Sequence, residues 1–427
     1  MVALSSMPED ILLLLFKFFA VSDTLNVRQT CRRLRDISLL RIVWINFNQS
    51  LVLSCNLDSP TLEADVRRAS RVASKWQSGH VHPASEFEFT ATLSTAITDV
   101  RFVKKRWVLT VSSAIWSTLS IWDWAAKGAK CSEWSPHGAM FEGALSVNTD
   151  HDANACIAIL TTNLDNERSV VLLSVDDAGK LSVLCTIPTN LRPMSLHGPL
   201  LALCDEGSGT TLYNTSTQET INLESEQVHF IDHAIDVVFS PSHVLVVRAR
   251  SIHLFAYPSA KHVDSHSFGW VDGMSVAYNP HTNGFSVLVR HQSDNPWTAD
   301  TSTLQLHTIP PAQGDLEGYQ FPPVPAIEVC SPRGAMRCPK VVLGKYGTAL
   351  WIRPHERSLV ADESSVMLAE ETLVAAVFPG ALNAGKEVVS SWICSNAFNN
   401  WTAFDYDEDR GLMVIASSFG KVLFVEL

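Results

Sequence analysis

The densest run of reactive side chains is Asp405-Tyr406-Asp407-Glu408-Asp409-Arg410-Gly411. Carboxylates at alternate positions are what a calcium loop requires. Here the sixth position, where the sharp turn needs glycine, is Arg410, and the twelfth, which should supply a bidentate Glu, is Ala416. The run is therefore expected to be an acidic turn between two strands. His229 and His233 stand four apart, but in a strand-to-loop stretch that lacks the Glu of a zinc-protease helix. Cys330 and Cys338, with His80 and His82 elsewhere in the chain, keep no zinc spacing. There is no Gly-x-Ser-x-Gly elbow, no phosphate-binding loop and no dinucleotide glycine pattern. These residues predict a protein that is not an enzyme and holds neither a metal nor a cofactor.

The composition narrows the partners. Across 427 residues, 32 Lys and Arg face 44 Asp and Glu, a formal charge of −12. That balance argues against a general nucleic-acid binder. A local basic cluster (Arg28, Arg32, Arg33, Arg35, Arg41) reads either as a solvated helix face or as a contact to an acidic partner. Nine cysteines, an odd number at no redox or metal spacing, fit a reducing compartment. The expected location is intracellular, cytoplasmic or nuclear, with no membrane contact.

The chain's organising stretch is residues 7–44. Ser6, Pro8 and Glu9 carry helix-start chemistry, a cap followed three residues later by Glu. Ile11 to Leu15, Phe16, Phe18 and Phe19 follow, interrupted only by Lys17, so the first helix is apolar all round. Such a helix is buried on more than one side. Two shorter helical segments, 22–28 and 30–37, complete a unit of roughly 40 residues, near the limit below which a chain cannot build its own core. A partner protein is expected to complete it. Two other readings compete. A secretory signal peptide needs a basic leader, whereas only Glu9 and Asp10 are charged before the apolar run. A helical cap folded back on the main domain would bind nobody.

These residues resemble an F-box. Met7-Pro8-Glu9-Asp10-Ile11 matches its opening, Leu15-Phe16 its middle, Cys31-Arg32 its Cys-Arg pair, Leu34 the position after it and Trp44 its distal Trp. Met stands where Leu is usual, and the match covers about a tenth of the chain. The resemblance implies docking on a Skp-type adaptor, and through it on a cullin-based ubiquitin ligase. It implies adaptor contacts from Met7, Pro8, Ile11, Leu12, Leu15, Phe16, Cys31 and Leu34, some of which must instead pack the module's own helices. One charge placed in that face is expected to abolish docking.

Residues 1–48 are thus assigned to this three-helix module and 49–85 to a linker. In the linker Leu62, Val66, Ala69, Val72 and Trp76 fall on one helix face, with acidic residues early and basic ones late. From residue 86 the pattern changes to short Val-, Ile- and Thr-rich runs between turn clusters. Segments 118–124, 169–176, 210–216, 251–258, 302–310, 348–354 and 421–427 look alike. That is a repeat of roughly 40–50 residues, the signature of a β-propeller. The fold class is mainly β: a propeller of seven blades over 86–427, preceded by a small all-α module. Each similar segment is read as a third strand, with an insertion around 363–395 and closure of the last blade by residues 86–93. Closing the ring this way removes exposed edges. The blades resemble WD repeats, most clearly at Ile121-Trp122-Asp123, although the usual Gly-His pair is missing.

The expected function is substrate recognition for the ligase, with an unidentified target on the propeller. A non-degradative F-box scaffold, or a propeller ligand binder or enzyme with a helical cap, are the alternatives. The proline-rich stretch 308–340, with Tyr319 and Phe321, and Trp297 nearby, suits protein recognition. Its competing reading is an outer connection that merely packs.

Overall fold

The computed structural model describes the chain apart from residues 1–6, 49–57, 114–116, 224–231, 292–301, 313–317, 332–337 and 354–369, and single positions 80, 94, 137, 208, 270, 281, 381, 384 and 386. Five helices come first: α1 (Glu9–Phe16), α2 (Val21–Arg28), α3 (Arg32–Ser38), α4 (Arg41–Asn48) and α5 (Ser59–Gln77). Seven four-stranded antiparallel sheets follow. In six of them the four strands pair in sequence order, innermost to outermost. The seventh takes its outer strand, Ser85–Thr90, from the start of the propeller and pairs it with Lys421–Glu426. Phe87 lies opposite Phe424 there with ring centroids 5.0 Å apart, and Trp124 stacks on Phe424 at 5.3 Å. Gly420 makes this closure possible. Its φ is +75°, and a Cβ would run into the backbone oxygen of Thr92.

The blades pack face to face through separate apolar cores. Leu109, Ile121, Ile159 and Leu173 join the first two blades, and Leu245, Leu254, Val287 and Val289 join the fourth and fifth. Middle strands are therefore buried on both faces: every residue of His243–Arg248 and of Leu412–Ser417 is buried. Such strands read as continuous apolar runs rather than alternating ones. Outer strands such as Leu181–Pro188 are mostly exposed.

The sixth blade differs from the sequence reading. The described part of 348–354 is its second strand, Thr348–Arg353, and the third is Glu371–Val377. The span 363–395, read as an insertion, supplies that third strand and most of the outer one, Val389–Asn396. Second and third strands look alike because both are buried on both faces.

Histidines lie between blades three to five. His253 shares a hydrogen bond with Ser251 Oγ at 2.9 Å, and the His307 ring lies 4.9 Å from Phe268 and 6.5 Å from His291. Burial lowers both from 6.5 to about 4, and the neighbouring His291 and His266 lower His307 further. A folded-state value below the unfolded one means stability that is complete above pH 6.5 and lost as pH falls towards 4. The melting-temperature difference between the native chain and His307→Gln is expected to shrink over that window. Glu408 carries the opposite sign. Burial raises it from 4.5 to about 7, so its contribution improves as pH falls between those values.

Candidate functional site

The helical module is built around Leu12, Phe16, Leu34, Ile37, Val43 and Trp44, which are buried together with Leu62 and Val66 of α5. Its first helix starts at Glu9 with Pro8 as N-cap and no capping side chain. Ser6, the expected cap, lies outside the described residues. Glu9 and Asp10 in the first turn still suit the helix dipole. The module has a fourth helix where three were expected, and α4 is what carries Trp44 into the core.

One polar knot holds the module to α5. Arg28 donates from Nη1 and Nη2 to the two carboxylate oxygens of Glu63 at 2.7 and 2.9 Å, and from Nε to Ser38 Oγ at 2.8 Å. Its guanidinium lies 5.5 Å from the centre of the Trp44 ring, whose Nε1 donates to the Ser38 carbonyl at 2.8 Å. Arg28 is thus neither a solvated cation nor a partner contact, but the internal clamp of the domain.

The eight residues assigned to adaptor contact separate by burial. Leu12, Phe16 and Leu34 are buried in the module's own core and belong to the members of the set that pack its helices. Met7, Leu15 and Cys31 are half-buried, and Pro8 and Ile11 are exposed. The reason is angular. Leu12 and Phe16 are one helical turn apart and face inward, while Ile11 and Leu14 lie on the opposite side of α1. Phe18, just past the helix end, continues that outer stripe and is 81% exposed. Leu39, Leu40 and Ile42, at the α3–α4 junction, are exposed as well. The sequence reading passed over these five residues, Leu14, Phe18, Leu39, Leu40 and Ile42. The i, i+3, i+7 spacing of Ile11, Leu14 and Phe18 was the available signal.

The same helix that closes the module also seats it on the propeller. α5 has 19 residues, about 28 Å at 1.5 Å each. Its far half inserts Val72 and Trp76 into the core shared by the sixth and seventh blades, beside Leu350, Phe404 and Met413. Trp76 meets Tyr406 edge-on at 6.3 Å, and Val72 lies over Gly411, where a Cβ would come within 3.0 Å.

The acidic run 405–411 forms the end of strand Trp401–Asp407 and the turn after it. Its carboxylates are engaged within the fold: Asp405 accepts from Phe102 N at 2.9 Å, Glu408 from Tyr346 N at 3.1 Å, and Asp409 from Lys345 at 2.8 Å. Asp407 pairs with Arg410 at 3.6 Å. Among the described residues no group of three or more His, Cys, Asp or Glu converges as a metal site. The proline-rich stretch also turns inward. Tyr319 packs 5.0 Å from Phe285 and 5.1 Å from His243, and Phe321 lies against the same core. These two aromatics serve packing between blades, and Trp297 lies outside the described residues. No helix among the described residues is long and apolar enough to cross a membrane.

Comparison with curated proteins returns no match for this chain. Residues 4–50, however, match the F-box-like family model. The four short helices around Trp44 are therefore an F-box-like domain, and this protein joins it to a seven-bladed β-propeller.

Proposed function

We propose that the chain is the substrate-recognition subunit of a cullin-based ubiquitin ligase, working inside the cell. F-box domains generally bind Skp-type adaptors, and the propeller would then hold a target protein. On this reading the chain does no chemistry of its own. It raises the effective concentration of the target beside the enzyme that carries ubiquitin. The observation that supports it most is the exposed stripe of Ile11, Leu14 and Phe18 on a domain whose core α5 has already closed. Large apolar side chains left in water after the core is complete mark a protein contact.

The test is co-purification with a Skp-type adaptor. The intact chain should recover the adaptor one to one. Phe18→Asp should lose it, with unchanged thermal unfolding because the ring is already solvated. An intact chain that recovers no adaptor would remove the reading, and adaptor bound equally by both would take the contact off the Phe18 stripe. Reconstituted ubiquitination of a bound target would then separate a receptor from a non-degradative scaffold.

A further inference from the structure

In each blade the first and second strands, and the third and fourth, adjoin at one face of the ring, while the second and third strands, and successive blades, adjoin at the other. Helix α5 sits on the first face, over the Gly411 turn. The opposite face carries an apolar cluster that the fold does not use. Phe398 lies in the connection from blade six to seven, and Phe419 in the second-to-third hairpin of blade seven. Their ring centroids are 6.3 Å apart, and they remain 76% and 58% exposed. Leu93, 87% exposed, belongs to the connection from blade seven to one. Its strand exit is held to the Phe419 hairpin by Ala91 N donating to Gly420 O at 2.8 Å.

These loops are fixed before anything binds. Ser418 N donates to Asn400 O at 2.9 Å, Phe398 N to Asn396 Oδ1 at 3.1 Å, and Glu371 N to Asn399 Oδ1 at 2.7 Å. A preformed aromatic pair loses little entropy on binding, so its apolar area is available as affinity.

The same face holds a polar groove of about 510 Å³ between blades two and three. Its lining sets Glu142, Asp205 and Glu206 against one cation, Arg168. Arg168 is bonded to Glu142 at 3.1 Å and stands 3.7 Å from Glu206, which is otherwise in water. Leu164, in the hairpin that walls the groove, is exposed. The groove's sign agrees with the −12 charge of the chain. Both repel anionic segments and draw in cationic ones.

We propose that this face, the one turned away from the F-box-like domain, docks a basic segment of the target protein. A large apolar side chain of that segment packs on Leu93, Phe398 and Phe419, and a Lys or Arg enters the groove beside Glu206. The proposal rests on the reading of the chain as a substrate receptor and adds the chemistry of the segment received. Phosphorylated and acidic segments are the ones this face rejects.

The experiment presents random short peptides, with and without phosphoserine, to the full chain bound to its adaptor. Selected peptides should combine Phe, Leu or Trp with Lys or Arg, and their binding should weaken as salt rises. Phe419→Ser should weaken a selected peptide roughly tenfold, as loss of a central aromatic anchor does. Glu206→Lys should weaken it several-fold and flatten the salt dependence. Selection of acidic or phosphorylated peptides would overturn the proposal, as would indifference to both substitutions. A dimer dispersed by Phe419→Ser in light scattering would also overturn it, by giving the patch to a second copy. Adaptor recovery, measured on each variant, tells the two claims apart. Its loss in the intact chain removes the ligase reading, whereas its persistence without basic peptide binding removes only this one.

Discussion

Trp76→Ala should lower the stability of the propeller by about 3–5 kcal/mol, the range for truncating a fully buried aromatic. Trp76 is 1% exposed and fills the joint between blades six and seven. The first transition in a urea titration should move to lower denaturant accordingly. Adaptor recovery should survive, because the residues of α5 that complete the F-box-like core are Leu62 and Val66, more than two turns away. What the variant loses is the fixed angle between the two domains. Under the proposed function, target ubiquitination in a reconstituted reaction should therefore fall more than target binding does. An unchanged urea midpoint would show that α5 is not seated where Val72 and Trp76 place it.

The second large effect is expected at Glu63. Side-chain exposure of Arg28 and Glu63 is 18% and 11%, so the pair is largely shielded. Removing one member of a buried pair strands the other, at a cost of about 3–5 kcal/mol. Among the described residues, Glu63→Ala leaves the Arg28 guanidinium with Ser38 and the Trp44 ring. A four-helix unit this small has little stability in reserve. Hydrogen exchange across α1 to α4 should accelerate and adaptor recovery should drop, while the propeller strands keep their protection. Equal protection in native and variant chains would argue that apolar packing alone holds the module. A charge-swapped pair is not expected to rescue it, since Glu at position 28 would face the Ser38 carbonyl and the Trp44 ring.

The sequence made some of these relations legible and hid others for physical reasons. The apolar stripe of α5 was readable because a lone amphipathic helix writes its buried face at fixed spacing: Leu62, Val66, Ala69, Val72 and Trp76 are all buried. It did not say that one stripe serves two different cores. In α1 the reverse held. A helix apolar all round has no legible inner face, so Leu12 and Phe16 could not be told from Leu14. Only the neighbours α3 and α4 choose the side. The blade repeat was visible because strands with apolar centres recur between turns. Strand rank within the sixth blade was not, since Thr348–Arg353 and Glu371–Val377 are buried on both faces alike. The proline-rich stretch misled for a related reason. Composition flags a departure from regular structure, but whether Tyr319 then points outward depends on a groove between blades that no local pattern encodes.

Ring closure has a temporal side as well. Ser85 bonds to Glu426 across 341 positions of the chain, so the propeller's last edge is sealed by residues that leave the ribosome at opposite ends of its synthesis. Contacts that distant in sequence form late. The F-box-like helices are made well before Met413, Val425 and Leu427, which form part of the bed on which α5 rests. A nascent or prematurely terminated chain therefore displays its apolar stripe on an untethered module, with Ser85–Thr90 an open edge. Fixed presentation of that stripe therefore waits on the strand Lys421–Glu426, and a chain stopped before it lacks both the closed ring and part of the bed for α5.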